Sequence, residues 1–157
     1  MRFEYERYGS AFLDMRLHRL RSTITEQLDV LFLQNDIGIP STCISTILFL
    51  DQVKCANISQ IAKATGYSHQ LINQRLAQLE SLSLVNRLED VLDRRKLSLA
   101  LTNKGKKEAK KVDVLLEQAG RLINDLYEEI EINLDRVLVA AQQALDDNPL
   151  YARELPK

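Results

Sequence analysis

Glycine and proline are scarce in this chain, with five and three in 157 residues. Sandwiches and barrels need turn-formers at the end of nearly every strand, so the scarcity argues against them and favours helices. Two cysteines, Cys43 and Cys55, are too few for a secreted disulfide framework. Their plain reading is as buried or incidental thiols; a redox-sensing pair would need lowered thiol pKa values. The histidines, His18 and His69, have no metal-ligand spacing with the cysteines, so neither metal nor cofactor is expected. The longest apolar run, around residues 44–50, contains Ser45 and Thr46 and is far too short for a bilayer span. No cationic-then-apolar leader opens the sequence, which gives the expectation of a cytoplasmic protein without a membrane partner. There is no glycine-rich phosphate loop, nucleophile motif or convergent His/Asp/Glu set, so no enzyme is expected.

What is present is an ordinary globular composition. With 45% hydrophobic and 27% charged residues, the chain is not of the disordered class. At this length about 70% of the unfolded surface can be buried without disulfides or a structural metal. The formal net charge of -1 seems to exclude a nucleic-acid partner, yet the charge is unevenly distributed. Residues 1–53 carry five cations and seven anions, residues 54–112 twelve and five, and residues 113–157 four and ten. A cationic centre between acidic flanks is a sharper signal than the total.

The N-terminal third reads as one long helix. Leu13, Leu17, Leu20, Ile24, Leu28 and Leu31 recur at helical spacing, and Gly38 and Pro40 interrupt after Asn35. This stripe is core in the simplest reading. With the aromatic set Phe3, Tyr5, Tyr8 and Phe12 it offers more apolar surface than one small core needs, so a partner helix is also in view. Pro40 can open a second helix from about Ser41 to Asp51. Asn57 with Gln60 forms a capping-box pattern that starts a third. Gly66 is a left-handed helix stop, and Ser68 caps a fourth helix to about Ser81. The segment ISQIAKATGYSHQLINQRLAQ thus has the spacing of a helix-turn-helix. Short strands follow at residues 84–88 and 97–101, the second with period-two alternation. Between them lie eight residues without glycine, including Asp93 and the cations Arg94, Arg95 and Lys96. A helix-turn-helix followed by a hairpin with a cationic loop is a winged helix. Thr102 or Asn103 then caps another helix, whose first turns hold Lys104, Lys106, Lys107, Lys110 and Lys111. Cations there oppose the helix dipole; an external phosphate would relieve the conflict, and a solvated lysine face is the plainer alternative. A last helix spans about residues 133–146.

The order of these elements, and the stretch SHQLINQRLAQLESLSLVNRLEDVLDRRKLSLALTNKG, resemble the multiple-antibiotic-resistance regulator (MarR) family of bacterial transcription factors. The resemblance runs over roughly residues 10–145. Arg87, Asp93, Arg95, Leu101 and Thr102 match the family's strand-closing arginine, the wing Asp-x-Arg and the Leu-Thr that follows it. Two departures are the absence of glycine from the wing tip and Ser83, where the family often has glycine. The resemblance implies a mainly α fold with a small antiparallel β wing: a winged helix-turn-helix plus N- and C-terminal dimerisation helices. Residues 39–102 would bind DNA, while residues 1–38 and 103–157 form the dimerisation region, all within one intertwined domain. It further implies a homodimer on double-stranded DNA and release by a small-molecule effector, often an aromatic acid, or by cysteine oxidation.

Residue chemistry assigns roles within that frame. On the fourth helix Ile72, Leu76 and Leu79 form the inner face. His69, Gln70, Asn73, Gln74 and Ala77 lie opposite; amides there pair bidentately with adenine, at about 1–3 kcal/mol of discrimination per pair. Ser68 both caps and can bond phosphate, and Arg75, between the faces, is expected at a phosphate. In the wing, Arg95 suits a narrow minor groove, Asp93 aims it, and Arg94 and Lys96 face flanking phosphates. The expected function is a dimeric, sequence-specific, ligand-responsive repressor on a near-palindromic operator. The alternatives are a protein-interaction adaptor on the same scaffold and a cysteine-redox-sensing regulator. No effector site is assigned by the sequence.

Overall fold

The computed structural model describes residues 6–89 and 97–154. Six helices and one two-stranded antiparallel sheet are found among them: α1 Leu13–Gln34, α2 Ile44–Val53, α3 Ile58–Thr65, α4 His69–Ser81, β1 Val85–Glu89, β2 Leu97–Leu101, α5 Asn103–Glu129 and α6 Leu134–Asp147. Short 3₁₀ turns occur at Glu6–Phe12, Ser41–Cys43 and Leu150–Ala152. The fold class read from the sequence holds: helices dominate, and the wing hairpin follows the helix-turn-helix. No helix among the described residues is long and apolar enough to cross a membrane.

The chain divides into two compact units, residues 1–116 and 117–157. The first has a closed apolar core. Phe32, Ile47, Leu50, Ile61, Ile72, Leu76, Leu79, Leu84, Leu99 and Val112 are all essentially without solvent contact. The β register pairs Val85 with Leu101 and Arg87 with Leu99. Alternation along β2 buries Leu99 and Leu101 and leaves Ser98 and Ala100 half-buried, as period two requires. Ala56 adds a bridge on the other side of β2, its N–H and C=O bonding Leu99 at 3.0 and 2.8 Å.

Helix ends account for much of this unit's geometry. The capping box at Asn57 and Gln60 is formed in both directions at 2.9 Å. Gly66 adopts φ 72° and closes α3, while Ser68 Oγ accepts the Leu71 N–H at 3.2 Å to open α4. The other stops are not glycines. Asp36 after α1 and Ser83 after α4 take φ 52° and 58°. In each case the next residue's N–H reaches back five positions, Ile37 to Phe32 and Leu84 to Leu79, both at 2.9 Å. These are Schellman ends with a non-glycine residue in the left-handed position. The stop of α1 is therefore at Asp36, ahead of Gly38 and Pro40. Leu84 closes α4 rather than opening β1, so the first strand starts one residue later than the span 84–88 read from the sequence.

The second unit holds the rest of α5 and all of α6. Glu131, at φ 56°, ends α5 in the same way, with the Ile132 N–H on the Tyr127 carbonyl at 3.1 Å. Asn133 Oδ1 caps α6 through the Arg136 N–H at 2.9 Å. No residue of α6 is buried, and Val137, Leu138, Val139 and Leu145 are exposed.

Candidate nucleic-acid interface

The helix-turn-helix is fixed by local chemistry before any partner is considered. Gly66 supplies the turn, and Ser68 sets the first residue of α4, so the direction of α4 follows from two side-chain-scale decisions. Ile72, Leu76 and Leu79 then lock its inner face into the core at 0% exposure. Ser68, His69, Gln70, Asn73, Gln74 and Ala77 are all exposed on the other side. Apart from Ala77 these side chains are polar, and none of them is acidic. Asn73 Nδ2 donates to the His69 carbonyl at 3.0 Å, so one amide is occupied within its own helix and would have to turn outward to read a base.

Arg75 departs from its expected role. Its residue is 3% exposed, its guanidinium carbon sits 3.8 Å from the centre of the Tyr67 ring, and Nη1 donates to Ser45 Oγ at 3.3 Å. A side chain so enclosed does not reach a phosphate outside. The expectation of a DNA contact is corrected by a simple geometric fact: Arg75 lies three residues after Ile72 and four before Leu79, inside the buried stripe. That spacing was available in the sequence, and the charge obscured it.

The hairpin is tied to α4 by a residue pair the sequence left unassigned. Arg87 on β1 makes a two-pronged contact with Glu80 near the end of α4, Nε to Oε1 at 2.6 Å and Nη2 to Oε2 at 3.2 Å. Such fork-to-fork pairing fixes orientation as well as charge. The wing residues Asp93, Arg94, Arg95 and Lys96 lie outside the described residues. Both strands that lead to them are described, from Val85 and to Leu101.

Behind the hairpin, Thr102 Oγ1 accepts the Gly105 N–H at 2.9 Å and donates to the Ser83 carbonyl at 2.8 Å. Thr102 therefore caps α5. A Cβ on Gly105 would lie 2.0 Å from the Leu84 carbonyl oxygen, so glycine is required by close approach of backbones. Two of the five lysines at the start of α5 have acceptors within the fold. Lys104 Nζ donates to the Leu82 carbonyl and Lys111 Nζ to the Asp36 carbonyl, each at 2.9 Å. Both carbonyls lie at helix C-termini, the negative end of the dipole. Lys106, Lys107 and Lys110 are exposed.

The cysteines differ in kind. Cys43 is fully buried, and burial pushes its thiol pKa up, which keeps it protonated and unreactive. Cys55 is exposed beside a cavity of about 420 Å³ lined by Phe49, Val53 and Lys63.

Comparison with known proteins follows this geometry. Residues 37–96, from the end of α1 to the wing, match a family model described as MarR family. No curated protein matches the chain. Among solved structures, a MarR family transcription regulator superposes with a TM-score of 0.68 at 17% identity, covering 90% of this chain and 94% of its own. NadR in complex with 4-hydroxyphenylacetate gives 0.62 at 18%, covering 86% and 97%. The adhesin competence repressor AdcR from Streptococcus pyogenes gives 0.59 at 22%, covering 83% and 96%. At these identities the structural likeness speaks for the fold.

Proposed function

We propose that this chain, whose residues 37–96 match the MarR family model, is a regulator of that family: a dimeric, sequence-specific DNA-binding transcription regulator, a ligand-responsive repressor of a near-palindromic operator. The observation that carries this reading is α4: a helix with one face locked in the core and the other a set of exposed amides and hydroxyls without an acid. A helix of this kind suits the major groove, where amides read adenine. Beside it stands a hairpin whose loop sequence, DRRK, is the densest cationic group of the chain. Arg95 is assigned to the minor groove, Asp93 to its aim, and Arg94 and Lys96 to phosphates. Ser68, His69, Gln70, Asn73 and Gln74 are assigned to the major groove. A second copy would cover the exposed apolar residues of α6.

Selection of bound fragments from random duplex DNA by purified protein tests the reading. Enrichment of a near-palindrome with half-sites about 34 Å apart is expected. Recovery of no common motif would leave the adaptor alternative standing. On the selected fragment, Arg95→Ala should lower the slope of log affinity against log salt by about one unit. An unchanged slope in an anisotropy titration would remove Arg95 from the interface.

A further inference from the structure

The hairpin leaves the body of the first unit at one row of residues. Arg87 on β1 pairs with Leu99 on β2, and Leu99 bonds Ala56 on its other edge. At that row the sheet is three backbones wide. Beyond it, among the described residues, only Leu88 with Ser98 and Glu89 with Leu97 continue as a two-stranded ribbon. Such ribbons twist more than wider sheets, so the direction of this one is decided where it starts.

The two edges of that row are held differently. Ala56 grips β2 by two backbone hydrogen bonds, at 3.0 and 2.8 Å. No strand among the described residues pairs with the outer edge of β1. What holds β1 there is a side chain, the Arg87 guanidinium, set on the carboxylate of Glu80 in the last turn of α4. The corner between α4 and β1 is already fixed from behind. The carbonyls of Leu82, Ser83 and Leu84 accept in turn from Lys104 Nζ, Thr102 Oγ1 and the Thr102 N–H, at 2.9, 2.8 and 3.0 Å. With the corner held, the Glu80–Arg87 contact sets the remaining angle, that between α4 and the ribbon. Stability does not account for the pair. Its side chains are 28% and 45% exposed, and an ion pair that open contributes little. Glu80 is moreover an acid on the helix assigned to the major groove, where its charge works against a polyanion.

We propose that Glu80 is a positioning residue: by holding Arg87 it aims the hairpin, and so fixes the mutual angle at which α4 and the hairpin meet one duplex. Glu80 itself touches no DNA. The consequence for binding rests on the DNA-binding reading; the aim of the hairpin does not. A phosphate contact by Arg87, merely masked by Glu80, makes the opposite predictions.

The test uses the full chain. Without DNA, residual dipolar couplings of the amides of α4 and of the two strands report the angle between helix and ribbon. Glu80→Gln, which keeps the size and removes one of the two acceptors, should change that angle and leave the denaturant midpoint nearly in place. An unchanged angle overturns the proposal, and so does a large fall in midpoint, which would make the pair a stability element. On a fragment selected from random duplex DNA, Glu80→Gln should weaken binding about 10-fold, the scale of one lost groove contact. Arg87→Lys, which keeps the charge and loses the fork, should weaken it to a similar degree. Neither should weaken binding to a scrambled duplex of the same length. Tighter binding of both duplexes by Glu80→Gln, or unmodified affinity in Arg87→Lys, overturns the positioning role. A changed angle in Glu80→Gln, with no duplex bound by the unmodified chain, overturns the regulator reading and leaves the aim of the hairpin standing.

Discussion

The two units of the chain satisfy their apolar residues in opposite ways. The first, residues 1–116, closes a core in which α2, α3, α4, the hairpin and the start of α5 all take part. The second, residues 117–157, leaves Val137, Leu138, Val139 and Leu145 in solvent, with Val139 at 70% exposure. Exposed apolar residues at helical spacing are stable only when something covers them. The N-terminal part of α1 resembles the second unit in this respect, since Leu13, Leu17 and Leu20 are exposed and the one buried residue of α1, Phe32, lies near its other end. The difference teaches where stability resides in the first unit, within one chain; for the terminal helices, the proposed dimer would supply the cover.

The sharpest way to break this contrast is to remove one leucine from each unit. Leu76→Ala empties a fully enclosed site and should cost about 2–5 kcal/mol in denaturant unfolding. That loss should not depend on protein concentration. Leu138→Ala, at 46% exposure, should barely affect a dilute monomer. It should instead shift the sedimentation-measured dimer equilibrium. Equal, concentration-independent losses at both sites would contradict the division. A smaller effect is expected at the joint between hairpin and α5. Gly105→Ala drives a methyl into the Leu84 carbonyl and should cost about 1–3 kcal/mol, the range for overpacked sites. The loss should appear as a lower thermal midpoint, since the clash is with the Leu84 backbone, which no side-chain rotation can move aside.

The sequence was most legible where structure is decided within a few residues. Asn57 with Gln60, Gly66 and Ser68 each satisfy orphan backbone groups through their own side chain or their own φ, so their roles do not wait on the tertiary fold. The inner face of α4 was legible for a related reason, because period fixes which residues share a stripe. Arg75 was misread where charge and period disagreed, and packing decided in favour of period. The Arg87–Glu80 pair spans the turn from α4 into β1 and the Thr102 bridge spans the whole hairpin, and no helical or strand period announces such contacts. Tyr67 and Ser45 reach Arg75 from the turn before α4 and from α2, so its enclosure has no signature in the sequence at all.

Helix ends without glycine are the last feature that separates expectation from structure, and Ser83 offers the finest probe of it. Its φ of 58° costs a residue with a Cβ about 1–2 kcal/mol relative to glycine. Against this, glycine loses more freedom on folding, by roughly 0.5–1 kcal/mol. No hydrogen bond of the fold uses the Ser83 hydroxyl among the described residues; Thr102 bonds its carbonyl, which glycine retains. Ser83→Gly should therefore stabilise the first unit by about 0.5–1 kcal/mol. The denaturant midpoint should rise with an unchanged slope, the signature of stability without altered compactness. Ser83→Ala, which keeps the Cβ and removes the hydroxyl, should give no such gain. Glu131→Gly is the counterpart at the matching stop of α5, in the unit that the proposed dimer would cover. If Ser83→Ala matched the glycine variant, the hydroxyl rather than the left-handed backbone would be the source of the strain.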